Sequence, residues 1–263
     1  MRRERSAKAS SSPRPSERDA VLLRWEMNAR LAWLWATAIR LPTPPQPCGG
    51  VPGVPPAVSV VGFGDSIAAG VGVESQSEGL VARFAGEIAA GRSARWESFA
   101  VSGATADRLE ELTERARGVP ADHVLLSCGV NDVLRGRDPG RYHAAIAQFH
   151  ARIRRRWPHA RVVHAGLPSF AAFPALRGRL GRFLDRRALV YVAAAKRAAA
   201  DAGALYAPFP PDVEDRHFAR DGFHAGPDGC LVWARAIALR ASAAAMPSCR
   251  SSRGSLAADP RPR

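Results

Sequence analysis

The sequence predicts an α/β fold in which helices cover both faces of a mainly five-stranded parallel sheet. From residue 58 onward, short apolar segments alternate with longer segments rich in Ala, Leu, Arg and Glu. Parallel strands need crossover connections of this kind, which helices usually supply. The chain has 263 residues, of which 46% are hydrophobic, and this suits one large core better than two full domains.

Three segments precede the alternating region. Residues 1–19 consist largely of Arg, Ser, Pro and Lys, and we predict a disordered basic arm because such residues bury little apolar surface. Residues 20–41 have the composition of a helix and contain three of the six tryptophans. Residues 42–57 are rich in Pro and Gly, which predicts a linker without regular structure.

The predicted helix at residues 20–41 has three open interpretations. Charged residues interrupt it at Arg24, Glu26 and Arg30, so its apolar part falls short of the ~20 residues that span a bilayer. It could pack on the domain or form part of a signal peptide. Tryptophan beside arginine also suits a helix on a membrane surface, which would give the protein a peripheral membrane association.

Residues 58–245 are predicted to form the single α/β domain, and residues 246–263 a disordered tail. The predicted strands are 58–62, 96–101, 123–127, 161–165 and 204–207. The predicted helices are 79–90, 106–117, 141–157, 184–201 and 229–245.

The formal net charge of +14 comes mainly from arginine. It suits attraction to phosphate or anionic lipid, or reflects the arginine excess of a GC-rich genome. No helix-turn-helix pattern or stripe of basic and aromatic residues is visible, so we expect no nucleic-acid partner. We expect a cytoplasmic or peripherally membrane-associated protein, with secretion less favoured.

Four short motifs follow predicted strands or precede the last helix. They are G-D-S at 64–66, Gly103, G-x-N-D at 129–132 and D-x-x-H at 221–224. Ligands of open α/β sheets gather beyond the carboxyl ends of the strands. We therefore expect these four motifs to meet at one edge of the sheet.

Ser66, His224 and Asp221 are the residues in these motifs that predict nucleophilic catalysis. A serine hydroxyl becomes an effective nucleophile when a base takes its proton, and histidine titrates near neutral pH. A carboxylate can hold the imidazole in one tautomer and stabilise its protonated form. The spacing of three between Asp221 and His224, with Gly222 between them, places both side chains on one side of a tight loop.

In this order the motifs resemble the four blocks of the SGNH/GDSL hydrolase family, over about residues 58 to 245. Ile67 stands where the family name has Leu. The resemblance implies a flavodoxin-like three-layer fold and hydrolysis of an acyl ester, with lysophospholipids, short-chain esters and thioesters as candidate substrates. It also implies an oxyanion hole made by the backbone N–H groups of Ser66 and Gly103 and the side-chain amide of Asn131.

Each motif also has a simpler interpretation when taken alone. Ser66 could cap a helix, and Gly103 and Asn131 could serve only turns.

A further alternative is a membrane-surface lipid-binding protein whose hydrolase site has decayed. A metal cluster would draw on four residues of one region, His217, Asp221, His224 and Asp228. No other strand end offers matching ligands, so we predict no metal and no other cofactor.

Specificity is expected to come from apolar loops at 166–174 and 209–211 and from Phe218, which suit an acyl chain or else close the core. Of the remaining histidines, we expect His164 to be a hydrogen-bonded core residue. We expect four others to face solvent: His123, His143, His150 and His159.

Overall fold

A six-stranded sheet organises residues 17–243, the part of the chain that the computed structural model describes. The strands are β1 (Cys48–Val51), β2 (Val54–Gly64), β3 (Arg92–Ala100), β4 (His123–Ser127), β5 (Arg161–Ala165) and β6 (Leu205–Ala207). Their order is β1-β3-β2-β4-β5-β6, and all neighbouring pairs are parallel except β1 with β3. The five parallel strands follow the flavodoxin-like order, which confirms the predicted fold class.

Helices cover both faces of this sheet. They are α1 (Glu17–Thr37), α2 (Leu80–Ala89), α3 (Leu109–Arg115), α4 (Val130–Arg135), α5 (Pro139–Arg156), α6 (Arg179–Asp201) and α7 (Pro227–Ala243). The core on one face includes residues of α1 and α3 to α6, and the core on the other face includes residues of α2 and α7. Both faces of β4 are therefore covered, and all five of its residues are buried.

The sheet also explains where a ligand can bind. Strand β2 pairs with β3 on one side and β4 on the other, so the chain reverses its direction of winding between β2 and β4. A crevice forms at the carboxyl ends of strands at such a switch point. Asp65 and Cys128 follow these two strands directly, and so the segments that carry Ser66 and Asn131 border the crevice.

The prediction of a linker without regular structure at 42–57 was wrong for residues 48–51 and 54–57, which lie in strands. Cys48–Val51 forms the edge strand β1, and β2 begins at Val54. Gly49 pairs with Trp96, whose ring would lie 2.7 Å from a Cβ atom at this position, so glycine lets the two strands pair here. The pairing of β2 with β3 is irregular between Val54 and Val58, which accommodates prolines that a regular ladder would exclude.

Helix α1 packs against the domain through one side. Met27 and Leu31 are buried in the core that α6 also lines. The helix begins at Glu17, so the prediction of disorder was wrong for residues 17–19. No helix among residues 17–243 has the length and apolar character needed to cross a bilayer. The predictions for residues 1–16 and 246–263 lie outside the described residues.

Two of the histidines predicted to face solvent are buried. His123 and His150 are 8% and 2% exposed, because His123 begins the central strand β4 and His150 points from α5 into the core. His164 is buried as predicted, yet neither of its ring nitrogens has a hydrogen-bond partner among the described residues. Burial lowers the pKa of His150 to about 4 and that of His164 to about 3, so both rings are neutral at pH 7.

Candidate active site

Ser66, His224 and Asp221 form a continuous chain of hydrogen-bonding groups. The Ser66 Oγ atom lies 3.0 Å from Nε2 of His224, and Nδ1 of His224 lies 2.6 Å from Oδ2 of Asp221. The side chain of Asp221 is 4% exposed and that of His224 is 16% exposed. The structure thus brings together the three residues that the motifs predicted, with the imidazole between the hydroxyl and the carboxylate.

The loop before α7 fixes the carboxylate. Oδ1 of Asp221 accepts hydrogen bonds from the backbone N–H groups of Phe223 and His224 at 2.9 and 3.0 Å. Burial opposes ionisation of Asp221, but the hydrogen bonds from the His224 ring and these two N–H groups outweigh it and lower the pKa. Gly222 makes the tight turn possible because its φ is +63°, a conformation that glycine adopts without strain.

Ser66 is positioned by a turn that directly follows β2. Its carbonyl accepts from the N–H of Val71, and no α-helix begins at Ser66, so Ser66 is not the helix cap that it could have been. Gly64, two residues earlier, lies so close to β4 that a Cβ atom there would sit 1.9 Å from the carbonyl oxygen of Ser127. Glycine at 64 therefore allows β2 and β4 to meet where the nucleophile candidate emerges.

Helix α4 holds the loop that contains Gly103. The Asn131 amide donates to the carbonyl of Ala104 at 3.0 Å, and a guanidinium N–H of Arg135 donates to the carbonyl of Gly103 at 3.0 Å. The carboxylate of Asp132 accepts from the N–H of Ala106. These three contacts fix the loop that follows β3 against α4, which follows β4, so Gly103 and Asn131 lie at the same carboxyl edge of the sheet as Ser66.

The backbone N–H groups of Ser66 and Gly103 are available to a ligand. Within residues 17–243, neither group donates to a backbone acceptor. Gly103 has a φ of +78°, a left-handed conformation that favours glycine. Asn131 is buried, and its amide has a second N–H besides the one bound to Ala104.

Two buried carboxyl groups, Asp65 and Asp132, flank this arrangement. Burial raises the pKa of both to about 7, against hydrogen bonds from the backbone N–H of Ile67 to Asp65 and of Ala106 to Asp132. The negative charge of Asp132 raises the pKa of Asp65 further. One oxygen of Asp65, Oδ2, has no hydrogen-bond partner among the described residues.

The alternative of a metal cluster has no support in the geometry. His217 is buried, and its Nδ1 accepts from the backbone N–H of Glu214 at 2.8 Å as part of a capping box. In the part of the chain that the structure describes, no three His, Cys, Asp or Glu side chains converge as metal ligands would. The neighbouring Asp221 and His224 are bound to each other.

An apolar cavity of about 30 Å³ opens beside Ser66. Four residues from the predicted specificity segments line it: Pro168, Phe173, Phe209 and Phe218. Phe170 is fully buried instead, so its ring belongs to the core.

Sequence reasoning missed two kinds of residue at this site. The ring of Phe223 lines the cavity and contacts both His224 and Phe173, with centroid distances of 5.1 and 5.0 Å. Its position inside the D-x-x-H motif was the available signal. Arg135 and Trp233 were also missed, and no local pattern marks them, because they reach the site only through helix packing.

The fold and these motifs have counterparts among known proteins. A family model described as GDSL-like lipase/acylhydrolase matches residues 63–230. No curated protein sequence matches the chain significantly.

Solved structures share the fold at low sequence identity. A GDSL-like lipase from Parabacteroides merdae superposes with a TM-score of 0.58 at 15% identity, covering 73% of this chain and 99% of its own. A psychrotrophic esterase from Pseudoalteromonas sp. gives 0.57 at 16%, covering 71% and 98%. An acetylxylan esterase from Geobacillus stearothermophilus gives 0.52 at 19%, covering 72% and 95%.

The family model covers well over half of the chain, and the parallel sheet carries the family's motifs at its carboxyl edge. The chain therefore belongs to the GDSL-like lipase/acylhydrolase family. The predicted membership of a class of carboxylic ester hydrolases is confirmed.

Proposed function

We propose that this protein is a serine esterase in which Ser66 is the nucleophile, His224 the general base and Asp221 the residue that orients and stabilises the imidazole. The observation that carries the proposal is the chain of contacts from the Ser66 hydroxyl through His224 to Asp221, with distances of 3.0 and 2.6 Å. The backbone N–H groups of Phe223 and His224 donate to Oδ1 of Asp221, while Oδ2 faces the imidazole. The three catalytic side chains are therefore held in place before substrate binds.

The reaction proceeds in two halves. His224 takes the proton of Ser66 as Oγ attacks the ester carbonyl, and then gives it to the departing alkoxide, so that an alcohol leaves and an acyl-serine remains. In the second half, His224 takes a proton from water, and the hydroxide attacks the acyl-serine. The bond between the acyl carbon and Oγ of Ser66 then breaks, His224 gives Oγ the proton it took from water, and the carboxylic acid leaves.

Each attack places negative charge on the carbonyl oxygen. We propose that the backbone N–H groups of Ser66 and Gly103 and the free N–H of the Asn131 amide stabilise it. Each such donor contributes roughly 3–4 kcal/mol in a site from which water is excluded. The contacts from α4 to the Gly103 loop support this role, because donors stabilise a transition state most when they are already in position.

The substrate proposed is an ester with a short apolar acyl group. The cavity beside Ser66 measures about 30 Å³, which is room for about two water-sized groups. Its lining is almost entirely apolar, which suits an acyl chain better than a charged group. A long chain would require Phe173, Phe218 or Phe223 to move.

The test compares hydrolysis of p-nitrophenyl acetate and butyrate by the wild type and by Ser66→Ala. The variant should lose turnover while keeping its unfolding transition. Ser242→Ala is the matched control, since Ser242 is an exposed serine near the end of α7 and away from the cavity, and it should keep full activity. Equal turnover by Ser66→Ala and wild type would reject the nucleophile.

A wild-type protein with no turnover on any ester would instead favour the alternative, a decayed hydrolase site on a lipid-binding protein. The peripheral membrane association predicted for residues 20–41 remains a separate proposal, because the chemistry at Ser66 does not depend on it.

A further inference from the structure

Helix α1 carries apolar residues on two opposite sides. At ~100° per residue, one side presents its apolar residues to the domain: Leu23, Met27, Leu31 and Leu34. The other side presents five exposed apolar residues within an arc of about 80°; we call it the exposed stripe. It consists of Leu22, Trp25, Ala29, Trp33 and Ala36. A helix whose only role was to pack on the domain would need apolar residues on the first side and polar residues on the other.

The exposed stripe is large and aromatic. Leu22, Trp25 and Trp33 are 66%, 69% and 66% exposed. Contiguous apolar surface of this kind on a folded protein usually marks a contact with another surface. Tryptophan in particular favours the boundary between water and lipid, where its ring is buried and its N–H stays hydrated.

The charge around the stripe favours an anionic partner. From residue 21 to residue 41, Arg24, Arg30 and Arg40 stand against a single acidic residue, Glu26. On α6, Arg179 lies 3.8 Å from Glu26 and Arg187 donates to the side chain of Asn28, which adds guanidinium groups beside α1. A second copy of the chain would carry the same net charge of +14 and would be repelled by it, whereas an anionic bilayer attracts it.

Helix α1 is also connected to the candidate active site. A guanidinium N–H of Arg187 donates to the carbonyl of Val133 on α4, and another donates to Asn28 on α1. Helix α4 begins at Val130 and carries Asn131. Arg187 therefore connects α1, the helix that carries the exposed stripe, to α4, the helix that carries Asn131.

We propose that the exposed stripe of α1 docks the protein on an anionic lipid bilayer, with its tryptophan rings inserted among the headgroups and the neighbouring arginines facing the lipid phosphates. The helix stays packed on the domain through Met27 and Leu31 while it does so. This binding is independent of the proposed esterase activity and requires neither Ser66 nor His224.

The experiment is co-sedimentation of the full-length protein with vesicles of phosphatidylcholine and phosphatidylglycerol in equal amounts. The double variant Trp25→Ser/Trp33→Ser should bind ~10-fold more weakly or worse, because it lacks two rings that would be buried in the bilayer interface. Leu22→Ser should weaken binding, whereas its matched control Leu239→Ser, 72% exposed on α7 across the sheet, should not. Ser66→Ala should bind like wild type, which separates this test from that of the esterase.

Failure of the wild type to sediment, or equal sedimentation of the wild type and the double variant, would overturn the proposal. So would a lipid-free dimer, seen by light scattering, that the double variant abolishes, because the stripe would then be an interface between two copies. Vesicles of phosphatidylcholine alone should bind the wild type less, and equal binding would contradict the role of charge. An unfolding transition in urea like that of the wild type verifies that each variant, Ser66→Ala included, is folded.

Discussion

Three carboxyl groups lie at the same edge of the sheet, those of Asp221, Asp65 and Asp132. The pKa of Asp221 is lowered, whereas the pKa values of Asp65 and Asp132 are raised. All three are largely buried. Asp221 is held by two backbone N–H groups and the His224 ring, and its pKa lies below the ordinary value. Asp65 and Asp132 are bound mainly by single backbone N–H groups, and burial raises their pKa to about 7.

The difference has two causes: Asp221 has three hydrogen-bond donors, including the His224 ring, whereas burial is the largest influence on Asp65 and Asp132 and raises their pKa. Asp221 is ionised at neutral pH and can stabilise a protonated imidazole. Asp65 and Asp132 are protonated for part of the neutral range and serve chiefly to hold the loops that carry Ser66 and Gly103. Substitution of Asp221 should therefore lower activity most, whereas substitution of Asp65 should change mainly the pH dependence of stability.

The largest effect is expected when the charged partner is removed. Asp221→Asn keeps a similar shape but loses the negative charge that fixes the tautomer of His224, so kcat should fall ~10⁴-fold. Steady-state kinetics on p-nitrophenyl butyrate measures this. Asp65→Asn is the control, and it should lower kcat far less. Equal losses in the two variants would remove the distinction between these carboxyls.

The second effect concerns stability. Folding raises the pKa of Asp65 from its ordinary value to about 7, so the native state binds more protons than the unfolded state between about pH 4 and pH 7. The contribution of Asp65 to the free energy of unfolding should fall across this window, by as much as ~4 kcal/mol. Asp65→Asn cannot titrate and should gain stability relative to wild type as the pH rises.

Urea unfolding at several pH values in this window measures the difference between wild type and Asp65→Asn. Asp201→Asn, at an exposed carboxyl on α6, controls for the loss of one negative charge. A difference that stays constant with pH would mean that Asp65 is ionised throughout the window, and its pKa would then not be raised by burial.

Asn131, next to Asp132 in the chain, should affect the rate more than substrate binding. Asn131→Ala removes both the proposed oxyanion donor and the hydrogen bond to Ala104, and kcat should fall ~10²–10³-fold with a smaller change in KM. The kcat and KM values for p-nitrophenyl acetate provide the test. If KM rose while kcat stayed constant, Asn131 would bind the ground state and the transition state equally, which would contradict its role as an oxyanion donor.

The smallest effect is expected at Arg135, which positions the Gly103 loop without touching the substrate. Arg135→Ala removes a charged donor to the Gly103 carbonyl, and kcat should fall ~10-fold, in line with a hydrogen bond of about 1.5 kcal/mol. Arg135→Lys should restore part of the loss because an ammonium can still donate to this carbonyl. Arg108→Ala, which breaks only a contact with Glu111, should change kcat little. Equal losses at both arginines would indicate a general charge effect.

Much of the fold and the positions of the candidate site could be predicted from the sequence. The strand-and-helix alternation predicted the parallel sheet, and each motif follows a strand or precedes α7, where short sequence spacing controls local geometry. The edge strand β1 was missed because it forms by pairing with β3, more than 40 residues further along the chain. The raised pKa of Asp65, the burial of His150 and the contact from Arg135 to Gly103 depend on packing between segments far apart in the chain, which local patterns do not encode.

The most direct test of the proposed nucleophile is labelling of the wild-type protein with a fluorophosphonate, followed by identification of the modified peptide. The reagent reacts with serines that a neighbouring base activates. We expect a single modified residue, Ser66, no labelling of Ser66→Ala, and labelling that is much slower in Asp221→Asn. Modification of another serine, or turnover of p-nitrophenyl butyrate by a protein whose Ser66 stays unlabelled, would contradict the assignment of Ser66.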